Sequence, residues 1–240
     1  MFIPFSDHNP LKHIAFQRVT VSLIVINTLV YLILQSGYFM VSGQQAFLAF
    51  ALIPSELVTG TSLYPVTSPW PEELTLFTYM FFHGGWLHLI SNMIFLWVFG
   101  DNIEDAMGHG RFLIFYLLCG IAAGLVYTYA SPGSNAPLIG ASGAIAGVTG
   151  AYLMLYPRAK VWVLVFMRIP LRLPALWILA AWFGLQVFNV AAKDASNIAW
   201  WAHIGGFVTG ALLVIGFKRP SVPLFGPAPP PQKISPRPTG

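Results

Sequence analysis

Three stretches of this 240-residue chain set polar side chains into apolar surroundings. Residues 83–92 read HGGWLHLISN and carry His83, His88 and Asn92. Residues 140–147 read GASGAIAG around Ser142, and residues 200–206 read WWAHIGG around His203. His88 and Asn92 are four residues apart, so a helix puts them on one face, one turn apart. His83, five residues before His88, would sit roughly 140° away round the same helix. Capping the entry or orienting the loop suits it better. Ser142 lies among Gly140, Ala141 and Gly143, small enough to permit a sharp turn and close approach. A helix starting there leaves the Ser142 N–H without an intrahelical partner, a place suited to a developing negative charge.

Taken singly, these residues have plainer roles. A serine in a membrane helix commonly bonds back to its own carbonyl. An interfacial histidine is often a structural hydrogen-bonder, and an asparagine can join helices. Their meeting at one depth is harder to explain that way, because ionisable groups inside a membrane helix are costly and usually functional. Gly143 with Gly147, and Gly206 with Gly210, each form a G-x-x-x-G just after the polar residue. If those faces meet, Ser142 and His203 come within reach of each other. Gly120 and Gly124 form a third such pair, assigned to packing, as is the single cysteine, Cys119.

Other chemistries fit less well. A zinc protease needs H-E-x-x-H; His83 and His88 are too far apart and no Glu lies between them. Asp101 and Asp105 fall on the opposite side from Asp194, which excludes an aspartyl dyad. A metal or haem site built from His88 and His203 has no supporting motif. No inverted repeat or broken helix points to a transporter. With no acid at the depth of His203, the reading is a Ser–His dyad without a third carboxylate.

The elements that must position these groups are membrane helices. The chain is 56% hydrophobic and 8% charged, against roughly 25% charged for soluble domains. Six apolar stretches approach the roughly 20 residues that span a bilayer: residues 20–40, 85–100, 111–129, 140–156, 173–192 and 200–217. Runs 47–53 and 161–167 are too short to span and are expected at the interface. The expected fold is an all-α integral membrane protein with six transmembrane helices. Basic residues gather in alternate loops: Lys12 and Arg18; Arg111; Arg158, Lys160, Arg168 and Arg172; Lys218, Arg219, Lys233 and Arg237. Only Lys193 departs, so both termini are expected in the cytoplasm. Residues 1–19 read as a cytoplasmic segment rather than a signal peptide. Residues 20–217 form the membrane domain, and 218–240 a disordered Pro-rich tail. The net charge of +4 follows from this topology and gives no sign of a nucleic-acid partner.

The motifs HGGWLHLISN, IGASGAIAG and AHIGGFVTG, with the turn FGDNIEDAMGHGRFLIFYL, resemble the rhomboid family over roughly residues 47–217. The six-span layout is similar to the prokaryotic form, which implies a prokaryotic inner membrane. The resemblance implies an intramembrane serine endopeptidase that cuts transmembrane segments, with no cofactor and no metal. Ser142 would be its nucleophile and His203 its base. The Ser142 N–H, His88 and Asn92 would hold the oxyanion. His83, Gly140, Gly143, Gly206 and Gly210 would be structural, and Glu104 and Arg111 would stabilise the turn after the second span. Its partners would be membrane proteins and the bilayer. The alternative is an inactive relative that binds or moves membrane proteins. One position departs: Ala146 stands where many members carry an aromatic under the histidine, leaving Trp200 or Trp201 to support His203. The first loop would lie partly in the outer leaflet. Trp177, Trp182, Phe183 and Phe188 would mark a substrate entry side or simple lipid contact.

Overall fold

The computed structural model describes residues 2–7, 9–36, 43–63, 71–165, 168–193 and 199–227. All six apolar stretches form helices within the described residues; residues 37–40 of the first lie outside them. The first is α1 (Arg18–Val30), continued by a π-turn over Tyr31–Gln35. The first loop holds α2 (Gly43–Phe50), α3 (Pro54–Thr59) and α4 (Thr75–Thr78). The other five stretches form α5 (Trp86–Met107), α6 (His109–Ala130), α7 (Ser142–Leu155), α8 (Ala175–Ala191) and α9 (Trp200–Phe217). Among the described residues, three helices are long and apolar enough to cross a membrane: Arg18–Gln35, α6 and α9. α5 joins them as a fourth when taken with Glu72–Phe81, from which it bends by 81°. α7 and α8, at 14 and 17 residues, are shorter.

α7 is the centre of the bundle, packed by α5, α6, α8 and α9. Its sequence, SGAIAGVTGAYLML, explains the position: few side chains in its first half exceed a methyl or hydroxyl. A Cβ on Gly206 would stand 2.0 Å from Gly143 O, and one on Gly210 2.0 Å from Gly147 O. Backbone therefore touches backbone between α7 and α9, as the paired glycines predict. On the other side, a Cβ on Gly147 would meet Cys119 Cβ of α6 at 2.5 Å. Gly120 and Gly124 also serve packing, receiving Met80 and Leu52 from the first loop rather than another helix.

The all-α expectation needs correction. An antiparallel sheet in the order β1–β2–β3 joins β1 (Phe2–Asp7), β2 (Lys160–Val165) and β3 (Ile169–Pro174). β2 reads KVWVLV, β-branched and alternating, with Val161 and Val163 buried. That is the period of a half-buried strand. Residues 161–165 thus form a strand, and residues 166 and 167 of that run lie outside those described. Leu173 belongs to β3, and α8 begins only after Pro174. The 47–53 run faces the protein: Ala51, Leu52 and Ile53 are buried. The tail also differs from expectation in its first part. Phe225 N–H donates to Met154 O and Arg219 N–H to Ala106 O, so residues 218–227 fold back on the bundle.

Candidate active site

The turn before α7 is fixed from two directions. Leu52 and Leu138 exchange backbone hydrogen bonds of 3.0 and 2.8 Å, and Gly140 N–H donates to Tyr79 O at 2.9 Å. Gly140 has φ +111°, a conformation that favours glycine. A Cβ there would also lie 2.7 Å from His88 Nε2 and 3.5 Å from Asn92 Nδ2. Both nitrogens therefore face the turn that delivers Ser142. Ser142 is the first residue of α7, where backbone N–H groups have no helical acceptor.

Ser142 Oγ lies 2.9 Å from His203 Nε2. The close contact of α7 and α9 through Gly143, Gly206 and Gly210 makes this distance attainable. His88, Asn92, Ser142 and His203 line one cavity of about 820 Å³. His88 Nδ1 accepts a long 3.4 Å bond from Gly84 N–H, which leaves its Nε2 as the protonated, donating nitrogen. Asn92 is 6% exposed, and its Nδ2 has no partner among the described residues. A buried amide nitrogen without an acceptor loses a hydrogen bond it could make in water. Its position beside the cavity gives it an acceptor when one is bound there.

His83 lies behind His88, their rings edge to face at 5.2 Å, and both its ring nitrogens are buried with no hydrogen-bond partner among the described residues. Its backbone is held by Gln35, whose Nε2 donates to His83 O at 2.9 Å and whose Oε1 accepts from His83 N–H at 3.0 Å. The π-turn at the end of the first span carries Gln35 to that place.

Of the partners the sequence suggested, Trp200 is in place and others differ. His203 is flanked by Trp182 of α8, with centroids 5.7 Å apart, and edge-on by Trp200 at 6.2 Å. Trp201 is 41% exposed. Ala146 lines the cavity, and the aromatic beside His203 comes from α8 rather than α7. His203 Nδ1 lies 2.9 Å from Oε1 of Gln186, a buried residue of α8 that the motif reading passed over. The available signal was one of two amides, with Asn189, in an otherwise apolar helix. Asp194, the nearest acid in sequence, lies outside the described residues. Glu104 does not pair with Arg111. Its carboxylate accepts from Val19 N–H, Thr20 N–H and Thr20 Oγ1, and from His109. Trp182 and Phe183 turn inward onto Phe207, whereas Trp177 and Phe188 are exposed.

Fold and site together define a class: an integral membrane protein of apolar helices with a serine–imidazole pair beside an interior cavity. Residues 71–220, more than half the chain, match the Rhomboid domain, and the chain belongs to the rhomboid family. It is similar to Rhomboid protease GluP of Bacillus subtilis (strain 168), 34% identical over 158 residues, 65% of this chain and 28% of that protein. It is also similar to Rhomboid protein 1, mitochondrial, of Saccharomyces cerevisiae, 30% identical over 147 residues, 59% of this chain and 41% of that protein. Putative rhomboid protease YdcA of Bacillus subtilis is 34% identical over 100 residues, 42% of this chain and 48% of that protein. The chain thus spans under half the length of these relatives.

Proposed function

We propose that this protein is an intramembrane serine endopeptidase that cuts transmembrane segments of other membrane proteins. The observation that carries the reading is the 2.9 Å approach of Ser142 Oγ to His203 Nε2 at the wall of a cavity. His203 takes the serine proton as Oγ attacks the scissile carbonyl, then gives it to the leaving amine. The oxyanion lies against the Ser142 N–H, His88 Nε2 and Asn92 Nδ2. Each such donor is typically worth ~2.7–4 kcal/mol in a dry site. The family membership and the protease names of the relatives support the same activity.

The topology is part of this reading. Residues 20–217 form a six-span membrane domain in a prokaryotic inner membrane, with residues 1–19 and the tail in the cytoplasm. α7 is short for a span because it begins below the outer surface, which places Ser142 at the depth of a substrate helix. A reporter fused after Gly216 should read cytoplasmic, and an external reading would overturn the topology.

The decisive variant is Ser142→Ala. It removes one hydroxyl, so the protein should fold, cleave no transmembrane substrate and lose labelling by a fluorophosphonate. Undiminished cleavage by this variant sinks the mechanism. A wild-type protein that neither labels nor cleaves would be a binding or translocation factor instead.

A further inference from the structure

α8 turns apolar side chains outward, with Trp177 and Phe188 both 66% exposed. It buries one polar side chain, Gln186, on the face it shares with Ala175, Ile178 and Leu179. An amide removed from water needs partners for its oxygen and its nitrogen. Gln186 has one for each. Its Nε2 donates to Trp182 O at 2.9 Å, and its Oε1 lies 2.9 Å from His203 Nδ1.

The direction of this chain of bonds is set at its end. Trp182 O is a carbonyl oxygen and can only accept. The amide nitrogen must therefore face it, which turns the amide oxygen toward the imidazole. An oxygen at that place requires Nδ1 to carry the ring proton. Nε2 of the neutral ring is then bare, and the Ser142 hydroxyl donates to it across 2.9 Å. In the other tautomer two acceptors, Oε1 and Nδ1, would face each other, and Nε2 could take no proton from serine.

We infer that Gln186 is a positioning residue for His203, holding the imidazole in the tautomer and direction that make Nε2 the base for Ser142. The inference rests on the Ser–His reading above. Trp182, one turn from Gln186 on the same face, holds the ring by contact while the amide holds it by hydrogen bond. When the ring takes the serine proton at Nε2, the Nδ1–H···Oε1 bond persists and becomes charge-assisted. When Nε2 passes that proton to the leaving amine, the ring returns to its starting tautomer. Gln186 does this as a neutral group and keeps a full negative charge out of the bundle.

The test compares Gln186→Leu, which lacks an acceptor, with Gln186→Glu, which keeps an oxygen at the same reach, and with Ser142→Ala. Gln186→Leu should lose about 10–100-fold in kcat, the usual scale for removing a histidine's orienting partner. Its KM should stay within about threefold. Fluorophosphonate labelling should slow in parallel, and Gln186→Glu should recover most of the rate. A merely structural glutamine would change the number of active sites but not kcat per titrated site. Nitrogen-15 spectra of histidine-labelled wild-type protein, assigned with His203→Ala, give a readout independent of how the variants fold. The neutral ring should show a protonated Nδ1 and a bare Nε2. The opposite tautomer, or wild-type kcat in Gln186→Leu, overturns the inference. Full activity in Ser142→Ala would overturn the dyad itself, a separate failure.

Discussion

The two ends of the bundle treat buried polar groups in opposite ways. At the end where α5 stops, Glu104 is fully buried and its oxygens accept from Val19 N–H, Thr20 N–H, Thr20 Oγ1 and His109. Its neighbour Asp105 accepts from the backbone N–H groups of Lys12, His13 and Ile14 and from His13 Nδ1. Two successive carboxylates thereby satisfy the first turn of α1 and the bent segment that leads into it. At the opposite end, Asn92 Nδ2 and both ring nitrogens of His83 are buried without partners among the described residues, beside or behind a cavity. A satisfied buried group adds to stability, whereas an unsatisfied one subtracts from it. The first end uses its two carboxylates to hold the chain together, although Asn9 Nδ2 there is also buried without a partner among the described residues; the second leaves its free nitrogens beside a cavity.

That contrast can be broken by exchanging which property a mutation damages. Glu104→Ala should have the largest effect. It strands three donors of α1, each costing about 1–3 kcal/mol when buried unpaired, against a total stability of roughly 5–15 kcal/mol. Thermal unfolding in detergent should show a large loss or no folded protein at all. Asn92→Ala should leave unfolding unchanged or shift it upward, because it removes an amide nitrogen that bonds nothing. Its cleavage rate, and that of His88→Ala, should fall by about 10²–10³ where chemistry limits turnover. Ser142 should still react slowly with a fluorophosphonate in both. If Asn92→Ala unfolded as readily as Glu104→Ala, the free donors would be structural and the contrast false. If His88→Ala abolished labelling while His203→Ala kept it, base and oxyanion donor would be reversed.

The sequence was most legible where physics is local. Apolar runs gave all six helices, and the last, residues 200–217, has the bounds its composition suggests. The glycine pairs of α7 and α9 meet because each lies on one helix face, a regularity visible in a single segment. What escaped reading depends on partners far along the chain. Glu104 lies 84 residues from Thr20, and nothing at either position announces the other. Arg111, closer in sequence, looked the better partner. The sheet was missed because β2 is apolar as well as alternating, and in an apolar chain its composition resembles membrane contact. Gln186 was missed because the aromatics of α8 drew the reading toward lipid, although the amide between them was the rarer residue.

Asp7 offers the gentlest test, at the satisfied end. It closes β1, and Tyr152 O–H of α7 donates to its Oδ2 at 2.6 Å, latching the sheet to the central helix. Burial pushes the carboxyl up from 3.8 to about 6, and the tyrosine hydroxyl pulls it partly back. An acid whose folded value lies above its unfolded one holds a proton in the native state that the unfolded chain has released. Native protein therefore binds more protons than unfolded protein between about pH 4 and 6, and stability falls as pH rises through that interval. Below it both states are protonated, and above it both are charged, so the dependence levels off on either side. The partly exposed edge of Asp7 admits solvent, which limits the change to on the order of 1–2 kcal/mol. Asp7→Asn keeps an oxygen for Tyr152 but cannot titrate. Melting temperatures of wild type and Asp7→Asn measured from pH 4 to 7 should diverge steadily, with the variant gaining relative stability as pH rises. Parallel curves would mean that Asp7 is solvated in the folded protein, and that this corner of the satisfied end is looser than the carboxylates of α5.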